Sequence, residues 1–220
     1  MQPELLRGNA ASKLATGTDG IALFNFFCTD NESTFGTDLP GAARYDAIAG
    51  LADLDGLRGR TKHYCLSTSR NRWAPRFFER AEQLPAYVEP GCWNAFVLGA
   101  AAEPAECGRT LVVQVVIDRG RATEADQVRH FDCPPPELGV SLNGSWPTFD
   151  GAATTQLILP TGLYTHHVDQ YQAWEYSLDL SQLRDGHNEI ILIHSDDECD
   201  PSPAHVGDPI RVVGLELAVK

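Results

Sequence analysis

The side chains best suited to chemistry in this sequence are aromatic rings set beside polar groups, concentrated in its second half. Trp146 follows the turn signal Asn143-Gly144, and Tyr164, His166, His167, Asp169, Tyr171 and Trp174 crowd the stretch TGLYTHHVDQYQAWEY. An exposed ring offers a flat apolar face to a sugar, while neighbouring carboxylates, amides and guanidinium groups bind its hydroxyls. Trp146 and Tyr164 fall in expected loops and are the candidate binding residues, with ordinary packing as the competing reading. Trp174 lies in an alternating run and is assigned to the core. His166 and His167 are neighbours on an extended chain, so they point to opposite faces and do not readily share an ion; no metal site is assigned there. The run from His194 to Asp200, HSDDECD, carries hard oxygen ligands of the kind calcium takes, but not at EF-hand spacing, and a solvated acidic loop is the favoured reading.

Other chemistries are excluded by what the chain lacks. It has no Gly-x-Ser-x-Gly elbow, P-loop or dinucleotide fingerprint, which argues against an α/β-hydrolase, an NTPase and a Rossmann enzyme, and no cofactor is expected. A formal net charge of -13, from 30 acidic and 17 basic residues, makes nucleic acid a poor partner, because counterion release needs clustered Lys and Arg. No apolar run approaches the roughly 20 residues of a membrane helix, and the opening MQPELLRGNA lacks the basic start and apolar centre of a secretion signal; the signal of an exported parent protein would lie upstream. The six cysteines are scattered without a CxxC pair, so zinc-ribbon and thioredoxin readings fail. Buried thiols are the simplest reading, and the pairs to consider for a bridge are Cys92 with Cys107 and Cys133 with Cys199. Asn31-Glu-Ser33 and Asn143-Gly-Ser145 match the N-glycosylation pattern, which matters only in a eukaryotic secretory pathway.

The elements that must hold these residues divide the chain. With 43% hydrophobic residues it is globular. Leu6, Ala10 and Leu14, flanked by Ala11 and Ala15, form one apolar stripe of a helix over residues 4–15, and Gly17 suits its left-handed cap. Ile21 to Phe24 then run without polar interruption, as a strand covered on both faces of a parallel sheet does. A second helical pattern, started by Asp38 and Pro40, puts Tyr45, Ile48, Ala49 and Ala52 on one face. One parallel strand cannot bury both its faces alone, so residues 1–60 require a sheet from elsewhere, or pack on the second half of the chain; the segment assigned to this unit is 1–65. Residues 66–83 read as an Arg-rich linker anchored by Trp73, Phe77 and Phe78. Residues 84–220 carry eight expected strands, at 86–89, 93–98, 110–118, 138–142, 155–159, 172–180, 189–194 and 210–219, the pattern of an antiparallel jelly-roll sandwich. In the run from Trp174 to Leu180 alternation is strict, with Trp174, Tyr176, Leu178 and Leu180 on one face and Glu175, Ser177 and Asp179 on the other.

The order ELLRG, GTDGIALFNFF, LADLDGLRGRTKHYCLS, VSLNG and WEYSLDLSQLRDGHNEIILI resembles the C-terminal part of bacterial glycoside-hydrolase-like proteins, in which a TIM barrel precedes a galactose-binding-like sandwich. The resemblance implies a mostly β fold, with residues 1–65 as a small α/β remnant of the barrel carrying its eighth strand. Barrel sites lie at the C-terminal ends of the strands, so it also implies that Asn25 and Phe27 border a sugar cleft, one bonding a hydroxyl and the other presenting a ring. The loop residues Asp30 and Glu32 would lie beside them. Glycosidase carboxylates stand about 5 to 5.5 Å apart for retention or roughly 6.5 to 9.5 Å for inversion, which spacing in sequence does not establish. The first seven barrel strands are absent from this chain, so its catalytic residues are unassigned and it is expected to hydrolyse nothing by itself. The resemblance further suggests a structural calcium, often found in such sandwiches. The expected role is support of the missing barrel portion or binding of carbohydrate. A non-enzymatic binding or adhesion module and a purely structural sandwich are the alternatives.

Overall fold

The structure, a computed structural model, describes residues 3–22, 46, 48–67, 83–118, 138–154, 156–158, 171–195 and 209–220. Nine strands and two α-helices lie among them. The strands are β1 (Lys62–Ser67), β2 (Ala86–Val88), β3 (Trp93–Ala100), β4 (Leu111–Asp118), β5 (Leu138–Leu142), β6 (Ala152–Thr154), β7 (Tyr171–Leu178), β8 (Gly186–His194) and β9 (Ile210–Val219). All pairings are antiparallel, in a six-stranded sheet ordered β1-β9-β4-β7-β6 and a three-stranded sheet ordered β3-β8-β5. The strand β2 shares one side of β9 with β1, pairing with Ile210 to Val212 while β1 takes Gly214 to Val219. The inner faces of the two sheets build one core, which includes Phe96, Ile190 and Leu192 from the smaller sheet and Val113, Leu215 and Leu217 from the larger. Tyr176 ties the layers together by donating from its buried hydroxyl to the carbonyl of Leu138, 2.7 Å away.

The β-rich, antiparallel, sandwich-like architecture is thus the expected one. The alternation along β7 is present too: Trp174 and Tyr176 are buried, while Ser177 and Asp179 face solvent. On β4 and β9 the pattern differs, because Leu111 to Ile117 and Val212 to Val219 are buried throughout. These central strands are covered on both faces. The strand expected at 155–159 is displaced to Ala152–Thr154. Beyond it the chain is held by a side chain: the Gln114 amide donates to the carbonyl of Gln156 (2.9 Å) and accepts from the amide of Ile158 (2.9 Å), replacing a strand neighbour.

The helix α1 (Pro3–Ala15) follows its apolar stripe, with Leu6, Ala10 and Ala11 buried and Leu14 and Ala15 packed behind them. It ends as expected at Gly17, whose φ of 95° permits bonds from Gly17 N to Leu14 O (3.0 Å) and from Thr18 N to Lys13 O (3.1 Å). Its buried stripe joins the sandwich core. Gly8 lies directly against the carbonyl of His63 on β1, where no Cβ fits, and Arg7 donates to the carbonyl (2.7 Å) and hydroxyl (2.6 Å) of Thr61. On the other sheet, Ser12 abuts Gly99 of β3. The helix therefore spans an edge strand of each sheet. Strand β1, which falls within and just past the segment assigned to the barrel remnant, is not anticipated by the sequence pattern, and it pairs along its length with β9. Asp46 and Ile48 are helical, but the chain turns at Ala49 and Ala52 is exposed, so the second helical face stops short. A short helix α2 (Leu54–Leu57) comes instead, capped by the Asp53 carboxylate accepting from Gly56 N (3.1 Å). Ile21 packs against the core and Ala22 is exposed, neither of them in a strand, so the start of the expected doubly covered strand is not formed; Leu23, Phe24 and most of the linker lie outside the described residues.

Candidate functional site

The outer face of the three-stranded sheet is the part of the described surface with the chemistry anticipated for sugar binding. Its geometry is set by register. Trp93, Ile193 and Gly139 stand opposite one another across β3, β8 and β5, so they share a face. The next rows toward the far end of the strands are Ala95, Ile191 and Ser141, then Val97 and Glu189. Phe96, Leu98, Ile190 and Leu192 point the other way, into the core. Trp93 is 64% exposed and Val97 44%, unlike their buried neighbours on β3.

A fourth segment extends this face beyond β5. Asn143 and Gly144, with φ of 53° and 78°, make the tight turn for which Asn-Gly is suited, and Ser145 N returns to Leu142 O (3.0 Å). Thr148 then exchanges two backbone bonds with Val140, 2.8 and 2.9 Å long. Phe149 is brought beside Gly139, and a Cβ placed on that glycine would stand 2.6 Å from the Phe149 ring. The missing side chain at position 139 thus leaves the room in which the ring lies. Phe149 remains 46% exposed and Trp146, between turn and bridge, 93% exposed.

The turn beneath this face is rigidly braced. Asn143 donates from its amide nitrogen to Gln182 O and to Asn188 Oδ1, each at 2.8 Å, and accepts from Glu189 N at 3.0 Å. The fully buried Asn188 in turn donates to the carbonyls of Arg184 (2.9 Å) and Gly186 (3.0 Å) and accepts from Arg184 N (2.9 Å). Asn143 matches the glycosylation pattern, yet both its amide hydrogens are already engaged.

Of the residues assigned to binding, Trp146 is placed in the solvent, whereas Asn25, Phe27 and Tyr164 lie outside the described residues. So do Asp30, Glu32, His166, His167, Asp169 and residues 196–200 of the acidic run. Trp174 is a core residue, as its alternation implied. Trp93 and Phe149 are exposed candidate residues that sequence reasoning missed. The run WNAFVL places an apolar side chain on both faces of β3, so alternation by itself did not say which face was outward.

The remaining polar clusters hold the fold together, two of them buried and one, Arg58 with Asp185, partly solvated. Lys62 and Glu103 form an ion pair of 2.6 Å with no side-chain exposure at either partner. Burial pushes the Lys62 ammonium below its ordinary pKa and Glu103 opposes that shift. The second Glu103 oxygen accepts from Gly59 N (2.6 Å). Arg58 binds the Asp185 carboxylate through two bonds (2.8 and 3.0 Å) and also donates to the carbonyl of Ala102. His63 Nε2 lies 3.3 Å from Glu216, both buried. These pairs fasten the 101–103 loop and β1, and the Lys62–Glu103 pair has no access for a substrate. Cys65, Cys92 and Cys107 are free thiols, so the Cys92–Cys107 bridge is not formed. Cys92 precedes one end of β3 and Cys107 lies past the other, with roughly 25 Å of strand between them. Cys133 and Cys199 lie outside the described residues. Burial pushes the Cys65 thiol up to about 12, which leaves it protonated and unreactive. Among the described residues no group of three or more His, Cys, Asp or Glu is arranged to hold a metal ion, and no helix is long and apolar enough to cross a membrane.

Comparison with protein families and with curated proteins finds no family model and no curated protein that matches this sequence.

Proposed function

We propose that this chain is the sandwich-bearing part of a glycoside-hydrolase-like protein and that the sandwich binds carbohydrate. The observation that supports this reading is that three of the four exposed aromatic side chains among the described residues, Trp93, Trp146 and Phe149, lie on and beside one small sheet, the fourth, Tyr87, being on β2. Large rings normally lie inside a protein, and their grouping on the outside marks an interaction surface. At 93% exposure the ring of Trp146 is left free to stack on a ligand. Catalysis belongs to the barrel portion that the sequence resemblance implies.

The reading is tested on a glycan array with the full chain. Saturable binding to a set of glycans, weakened by Trp146→Ala, is the expected result. A chain that captures no glycan would leave a structural sandwich. The role of a brace for the barrel is the second reading, favoured by the core that α1 shares with both sheets, since it fixes the sandwich to the chain beyond Ala15.

A further inference from the structure

We infer that the ligand is an uncharged oligosaccharide of two or more rings, lying across the strands of the three-stranded sheet from Trp93 to Phe149. The inference rests on the carbohydrate reading above and adds to it a ligand class, a footprint and a direction.

Direction comes from the register. The rings of this face belong to one cross-strand row, with Trp93 on β3 at one end, Ile193 on β8 in the middle and Phe149 over Gly139 of β5 at the other. Along the strands from Trp93 the same face continues with Ala95 and Val97, which offer no ring. Adjacent strands lie about 4.8 Å apart, so Trp93 and Gly139 are separated by about 10 Å, and Phe149 reaches further. One pyranose cannot touch both rings, but two linked sugars can. The half-buried Ile193 between them gives a low apolar floor instead of a barrier.

Ligand class comes from charge and from the state of the sheet edges. The positions that alternate away from the core are Trp93, Ala95, Val97 and Gly99 on β3, His187, Glu189, Ile191 and Ile193 on β8, and Gly139 and Ser141 on β5, of which Gly99 is covered by Ser12 of α1, Gly139 by Phe149, and Ser141 is buried; none is Lys or Arg. The charged carboxylate among them is Glu189, exposed, and Asp150 is next to Phe149 in the chain. On a chain of net charge -13 this face repels uronates and sulfated glycans, while carboxylates accept bonds from neutral sugar hydroxyls. The same charge opposes pairing with a second copy. A peptide that adds a strand needs a free edge. At β3 the Gln83 side chain already accepts from Val97 N (2.5 Å) and donates to Val97 O (2.8 Å), and at β5 Thr148 is paired with Val140. The β3 side of the face is exposed from Trp93 to Val97, the ring of Phe149 forms its surface over Gly139, and each edge strand is already bonded at its middle, which suits a ligand that stacks.

Isothermal titration of the full chain against neutral oligosaccharides of one to six sugars, and against uronate and sulfated oligosaccharides, tests the inference. Binding should appear at two or more neutral rings and weaken at least tenfold in Trp93→Ala and in Phe149→Ala. Because Phe149→Ala removes the cover of Gly139, Phe149→Leu keeps the packing and should still weaken binding. In the unmutated protein, ligand should shift the emission of exposed tryptophan to shorter wavelength. Preference for anionic glycans, equal affinity for single sugars, or loss confined to Trp146→Ala overturns this inference and leaves the carbohydrate reading standing. No binding to any glycan overturns both.

Discussion

The buried pair of Lys62 and Glu103 is the most demanding contact at the scale of single residues. Two charges leave water completely, and their attraction is supplemented by the bonds from Gly59 N to Glu103 and from Lys62 to Arg60 O (3.0 Å). Lys62→Met strands the Glu103 carboxylate and should cost about 3–5 kcal/mol, read as a lower urea midpoint. Lys62→Met combined with Glu103→Leu should recover much of that loss, since no charge is left unpaired. The Arg58–Asp185 pair is partly solvated and responds to acid. Its hydrogen bonds to Arg58, with a smaller contribution from the amide of Ala102, hold the Asp185 carboxyl below the ordinary aspartate range. A depressed native pKa stabilises the fold above the unfolded pKa, and that stabilisation is lost as pH falls through the native value. Thermal melts from about pH 5 down to about pH 2 should show Asp185→Asn with a flatter acid slope than the unmutated chain. Neither pair was legible in the sequence. Partners more than 40 positions apart leave no local pattern, whereas the exposure of Trp146 could be read from its place just after an Asn-Gly turn.

At the scale of elements, legibility tracks how local the determining pattern is. The helix α1 was readable because its stripe and its glycine stop lie within about four turns, and β9 was placed at its observed ends, 210–219. The strand β1 was not, because Lys62, His63 and Tyr64 are all buried, and a strand with buried Lys and His breaks the alternation by which strands are recognised. The displaced β6 has a related cause: its neighbour at 156–158 is satisfied by the Gln114 side chain, and no backbone pattern reports that. The docking of α1 gives a test at this scale. Alanine ordinarily stabilises a helix by about 1 kcal/mol relative to glycine. At Gly8 the added methyl would meet the His63 carbonyl, so Gly8→Ala should destabilise by about 1–3 kcal/mol despite that gain, measured by denaturant unfolding. A stabilised variant would mean that the helix does not sit on β1.

For the whole molecule the question is whether the N-terminal helix and the sandwich behave as one body. The β-sandwich class was legible in the short strands and turns of the second half. The partnership of α1 with it was not, because an apolar stripe says that a helix is covered and not by what. In the structure Leu6, Ala10 and Ala11 belong to the core that also holds Phe96, Leu98 and Leu217, and Arg7 ties the helix to Thr61 at the start of β1. A core contributed by helix and sheets together opens together, since withdrawing α1 uncovers apolar side chains of both layers. Native-state hydrogen exchange should therefore give central amides of α1 the same opening free energy as those of β1 and β9. Leu6→Ala, expected to cost about 2–5 kcal/mol as a large-to-small change in the core, should lower protection in α1, β1 and β9 by the same amount. Were α1 instead an independent piece resting on the sandwich, its amides would lose protection in Leu6→Ala while those of β9 kept theirs. The two outcomes differ in whether a strand more than 200 residues away in sequence registers the loss of one leucine from the helix.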